Sequence, residues 1–132
     1  MTDAVLPSGY LHKARRALAG AHLLLQAGDT EGACNRAYYA MFDAAHAALI
    51  AVGAESPDAP IRTHNGLIGA FGQHLIVPGH LPVEYGENFN KVQRLRQLAD
   101  YTGEPVGGTD AAWAVEQAEK FVRRIAETFL AS

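Results

Sequence analysis

Between Tyr10 and Ala27 apolar residues recur at Leu11, Ala14, Leu18, Ala21 and Leu25, steps of three and four that put them on one side of a helix, with Ser8 placed as an N-cap. Gly28 ends that pattern. Asp29 offers a cap for a second helix, which runs to Val52 without a proline and stops at Gly53. From Glu55 to Pro60 the chain carries Ser56, Asp58 and two prolines, a composition that predicts a connector. Thr63 is placed to cap a third, shorter helix through Leu67, Ile68, Phe71, Leu75 and Ile76, halted by Pro78 and Gly79; Gly66, Gly69 and Gly72 within it suggest close packing against a neighbour. A fourth helix, Glu84 to Tyr101, aligns Phe89, Val92, Leu95 and Leu98. Thr109 and Asp110 open a fifth, in which Ala111, Val115, Ala118, Val122, Ile125 and Phe129 share a face. No alternating run rich in β-branched residues appears. The pattern therefore predicts an all-α fold in a single domain spanning residues 1–132, an up-and-down bundle of four long helices plus one short helix.

With 132 residues, 48% of them hydrophobic, the chain is long enough to bury one core without disulfides or a structural metal. Cys34 is the only cysteine, which excludes an internal disulfide or a cysteine-based zinc site and fits a reducing, cytoplasmic setting. No segment has the length and apolarity of a membrane span, and no export signal is evident, so no membrane association is expected. A net charge of −3 excludes a general cationic binder of nucleic acid; any RNA contact has to use a local patch.

Two regions hold residues suited to chemistry. On the second helix Asn35, Tyr38, Tyr39, Phe42 and His46 lie three or four positions apart and share a side, with Arg36 and Asp43 beside them. Read as structure alone, Tyr38 and Phe42 are core, Tyr39 is a hydroxyl-tipped interface residue, and Arg36 pairs with Asp43 or with a carboxylate of a neighbouring helix. On the fourth helix Arg96 and Asp100 form an i, i+4 pair of opposite charge. As a surface ion pair it contributes at most about 0.5 kcal/mol, whereas as a site Arg96 grips a phosphate while Asp100 orients it.

Four blocks carry a resemblance: Tyr10-Leu11-x-Lys13-Ala14, then Asn35-Arg36-Ala37-Tyr38-Tyr39-Ala40-Met41-Phe42, then Thr63-His64-x-Gly66-Leu67-Ile68-x-x-Phe71, and Leu95-Arg96-x-x-Ala99-Asp100-Tyr101. In this order they resemble the HEPN domain, in the branch often encoded beside minimal nucleotidyltransferases. The resemblance implies a homodimer with a cleft to which each copy contributes an arginine and, a few residues on, a histidine. It also implies a toxin-like half of a two-component system, and RNA or a nucleotide as ligand. Many such domains are metal-independent ribonucleases. Carried onto this chain, the catalytic set is Arg96, Asp100 and Tyr101, the ligand-binding set is Asn35, Arg36, Tyr39 and His64, and neither metal nor cofactor is called for.

Tyr101 departs from the pattern by standing where histidine is expected. With a pKa near 10, a phenol supplies only about one phenolate in a thousand at neutral pH, so Tyr101 donates a hydrogen bond but is a poor base. His64 or His74 would have to be brought in from the third helix, and sequence alone does not bring them. His74 and His80 have no partner at metal-ligand spacing. The alternative is a catalytically inactive module that binds a nucleotide or another protein.

Overall fold

A computed structural model describes residues 7–56 and 58–130, with the side chain of residue 101 also outside the described set. The helices are α1 (Pro7–Gln26), α2 (Thr30–Ala51), α3 (His64–Phe71), α4 (Val83–Thr102) and α5 (Gly108–Ile125). Short π-helical turns, Gly72–Ile76 and Ala126–Leu130, prolong α3 and α5. Among the described residues there is no strand, only a single bridge between Ser56 and Ala59. The chain is thus an all-α bundle.

Two of the expected caps are present. Asp29 Oδ1 accepts the Gly32 N–H at 2.8 Å, and Thr63 Oγ1 accepts the Gly66 N–H at 2.9 Å. A Cβ added at Gly66 would lie 2.6 Å from Thr63 Oγ1, so a larger residue there would make the cap side chain shift. Gly69 and Gly72 meet nothing within 4 Å, so the expectation that they admit a close neighbour is corrected. Ser8 does not cap α1, because the helix already includes Pro7. Thr109 and Asp110 do not cap α5 either; Gly107 holds that place, and Asp110 sits in the first turn, where a carboxylate suits the positive end of the dipole.

Helix α2 is the axis of the bundle, packed by α1, α3, α4 and α5. Its buried residues are mostly alanine, at 33, 37, 40, 44, 45, 47 and 48, and α1 meets them with Ala14, Ala17 and Ala21. Small residues on both sides let the backbones approach closely, and this explains why the longest helix carries so few large apolar groups. Bulk is supplied elsewhere. Phe71, Phe89 and Phe121 pack with ring centroids 5.1–5.5 Å apart, and Tyr38 stacks on Phe89 at 5.9 Å.

The face of α4 that enters the bundle differs from the predicted stripe. Phe89 and Val92 are buried, but the buried line continues through Gln93 toward Arg96, while Leu98 is 56% exposed. Leu95 packs against the core and, with Leu98, also lines a groove shared with Trp113 of α5. The apolar stripe leaves the core only at Leu98, and Gln93 and Arg96 turn inward beside it.

The connector after α2 is tied down by a buried pair. His46 Nδ1 lies 2.8 Å from both carboxylate oxygens of Glu55, Tyr10 stacks on the imidazole at 4.7 Å, and the Ile61 N–H donates to Glu55 Oε2 at 3.3 Å. Among the described residues no helix is long and apolar enough to cross a membrane.

Candidate functional site

The inward turn of α4 points Arg96 at α2. Its guanidinium carbon stands 4.7 Å from the centre of the Tyr38 ring and 5.8 Å from that of Tyr39, so the cation lies against aromatic faces. Nη1 donates to Asp100 at 3.5 Å and Nη2 to Gln93 Oε1 at 3.4 Å, both at the long limit of a useful hydrogen bond. Nε is enclosed and has no acceptor among the described residues. The two Nη groups, each held by one long contact, are the donors left to a stronger acceptor, such as a phosphate oxygen.

Tyr38 is fully buried, and its hydroxyl lies 2.7 Å from His64 Nδ1. Residue 64 opens α3, so the cap at Thr63 and the phenol of α2 together fix where the imidazole sits. Burial pushes the Tyr38 phenol well above the ordinary tyrosine range, against the opposing pull of Arg96, which keeps it protonated. Burial, and then the charge of Arg96, hold His64 below its usual 6.5, so the imidazole is neutral at pH 7. In the tautomer whose Nδ1–H donates to the Tyr38 oxygen, Nε2 is left as an acceptor. The rings of Phe42 and Tyr39 flank it, at 4.9 and 6.0 Å.

Of the residues singled out from sequence, Arg96, Asp100, Tyr39 and His64 are brought together here. Asn35, one turn from Tyr39 on α2, is half-buried and makes no hydrogen bond among the described residues. Arg36 lies on the far side of Tyr39, exposed in a cleft between α1 and α2. The backbone of Tyr101 completes the end of α4, and its side chain is outside the described residues. Tyr38, which sequence reading left as core, is the link between the cation and the imidazole. The resemblance implied an arginine contributed to a cleft; within one chain the Arg96 side chain is 14% exposed and lies on the Tyr38 ring. The open cleft nearby is lined by Lys13, Arg16, Arg36, Tyr39, Phe42 and Asp43.

Cys34 is buried, and burial together with Asp110 pushes its thiol up to about 11 against the opposing influence of Arg96. Among the described residues no three of His, Cys, Asp and Glu are grouped to hold a metal ion.

An all-α bundle of five helices is the fold that the four sequence blocks implied. The family model for the HEPN domain matches residues 8–128, and the chain belongs to that family. A UPF0332 protein of Gloeobacter violaceus is 35% identical over 123 residues, covering 92% of this chain and 93% of that one. A Methanocaldococcus jannaschii protein named "Putative toxin" is 32% identical over 108 residues, covering 82% of this chain and 77% of its own. A UPF0332 protein of Thermotoga maritima is 33% identical over 89 residues, 67% of this chain and 64% of that one.

Proposed function

We propose that this HEPN chain binds RNA and cleaves it without a metal, as the toxin component of a two-component system whose other member is a minimal nucleotidyltransferase. The observation that carries the reading is the Arg96–Tyr38–His64 constellation: a guanidinium whose two Nη groups are each held by one long contact, and an imidazole kept neutral beside it, joined through one buried phenol. The toxin role draws on the name of the Methanocaldococcus relative and on family membership.

In this reading Arg96 leaves its weak contacts with Gln93 and Asp100 to bind a phosphodiester oxygen, and Asp100 limits its orientations. His64 Nε2 accepts the proton of the ribose 2′-hydroxyl, whose oxygen attacks phosphorus. The bond from phosphorus to the 5′-oxygen breaks, giving a 2′,3′-cyclic phosphate and, after proton uptake, a 5′-hydroxyl. Arg96 stabilises the charge that builds on the phosphoryl oxygens. Tyr101 keeps the role its sequence position suggests, a phenol that donates a proton rather than a base. Asn35 and Arg36 form the polar side of the binding face. A second copy closes the space over Arg96, giving the homodimer that the family resemblance implies.

The test is incubation of the purified chain with single-stranded and transfer RNA in a chelator. Cleavage by the wild type, lost in Arg96→Ala, is expected; no cleavage, or equal cleavage by the variant, refutes the nuclease reading. The 14% exposure of Arg96, with Tyr101 in the place of histidine, favours a second reading in which the chain binds a nucleotide without turning RNA over. Calorimetry showing nucleotide binding, without RNA breakdown, would select it.

A further inference from the structure

We infer that the cleft between α1 and α2 is a second phosphate-binding subsite, which takes the continuation of the RNA strand held at Arg96; the inference rests on the RNA reading above. The cleft has a volume of about 440 Å³. Lys13 and Arg16 lie one turn apart on α1, and Arg36, Tyr39 and Asp43 step by three and four along α2, so each set faces the cleft as one stripe. A Cβ added at Gly20 would lie 3.7 Å from Arg36 Nε, which places the Arg36 side chain across the bare stretch of α1.

Lys13, Arg16 and Arg36 are all exposed, and among the described residues none of them makes an ion pair. Lys13 Nζ lies 5.4 Å from the centre of the Tyr10 ring, and in a chain with 11 Lys and Arg against 14 Asp and Glu, three cations around one cleft are a local reversal of the overall charge. That is the local patch an acidic protein needs to hold a polyanion. Tyr39 is the wall shared with the candidate site, since it lines this cleft and its ring lies 5.8 Å from the Arg96 guanidinium carbon. A strand leaving Arg96 crosses Tyr39 and enters the cleft, with the half-buried rings of Tyr39 and Phe42 available to a base.

Asp43 is the one carboxylate on the lining and is half-buried. It repels phosphate and offers an acceptor to a ribose hydroxyl or a base amino group. Removing its charge should therefore tighten binding, the opposite sign to removing a cation.

The test uses the full chain and a labelled 2′-O-methyl RNA of about 12 nucleotides, which cannot be cleaved, with affinity followed by fluorescence anisotropy from about 0.05 to 0.3 M NaCl. For the double variant Lys13→Ala/Arg16→Ala the slope of log affinity against log salt should fall by about 1.4, which is about a 25-fold loss of affinity near 0.1 M. Asp43→Asn should bind more tightly than wild type, and Arg123→Ala, exposed near the end of α5, should leave the slope unchanged. An unchanged slope in the double variant, while Arg96→Ala still abolishes cleavage of ordinary RNA, overturns this subsite and leaves the RNA reading standing. Absence of both binding and cleavage by the wild type overturns the two together. A double variant that instead changes the mass seen in sedimentation, with RNA affinity unaltered, makes the cleft a seam between copies and also overturns the subsite.

Discussion

Replacing Tyr38 by phenylalanine removes one oxygen from the centre of the site and nothing else. The ring that faces Arg96 at 4.7 Å and stacks on Phe89 at 5.9 Å stays in place. What is lost is the 2.7 Å hydrogen bond to His64 Nδ1. Because His64 is only half-buried, water can take the vacated position, so the cost should stay near the net worth of one hydrogen bond, about 1 kcal/mol. For a chain of 132 residues the unfolding entropy is about 0.28 kcal/mol per degree, and the melting temperature should drop by about 4 °C. Tyr38→Leu also removes the ring from a fully buried position and should cost about 3–5 kcal/mol, a drop of about 11–18 °C. Thermal unfolding followed by circular dichroism measures both. In RNA cleavage the phenylalanine variant should be at least about 100-fold slower, the lower end of what a positioned acid or base contributes, because the imidazole is no longer held in one tautomer. If the phenylalanine variant melts with the leucine variant, or cleaves as fast as wild type, the hydroxyl is not the link described.

Other consequences are independent of that one. Glu55→Ala leaves His46 and the Ile61 N–H without their buried acceptor, and should cost about 1–3 kcal/mol and open the connector after α2 to limited proteolysis. Asp100→Asn should change stability by no more than about 0.5 kcal/mol, since that carboxylate is 52% exposed and 3.5 Å from Arg96. Asp29→Ala removes the cap of α2 and should cost about 1 kcal/mol in denaturant unfolding. The Cys34 thiol, with its pKa near 11 and no exposure, should react with a disulfide reagent at pH 8 only as fast as the protein unfolds.

The helices were legible because caps and breakers are local. Asp29, Thr63 and Gly28 act within four residues of themselves, and the structure follows them. The inward face of α4 was only partly legible, because apolar spacing places Phe89, Val92 and Leu95 on the core side but adds Leu98 and leaves Gln93 and Arg96 outside. In fact the Tyr38 and Tyr39 rings receive the guanidinium, and a π face is a favourable surface for a cation in a way that hydropathy does not encode. The same limit hid the place of His64, which the resemblance had named only as a ligand-binding residue. Its approach to Tyr38 spans 26 positions and depends on the length of the connector, so no spacing rule could bring it beside Arg96. Arg96, Asp100, Tyr39 and Arg36 were visible as types in a pattern; the phenol that joins them was taken for core because it is also core.

In this mechanism a neutral His64 beside Arg96 takes the proton. The most direct measurement is the single-turnover rate of RNA cleavage in a chelator, across about pH 4.5 to 8, for wild type and His64→Gln. Because the folded protein holds His64 below 6.5, the wild-type rate should climb as pH rises through a midpoint below that value and be level by pH 7. The glutamine variant should be at least about 100-fold slower, with no such rise. A variant that keeps the wild-type rate and midpoint would contradict the account.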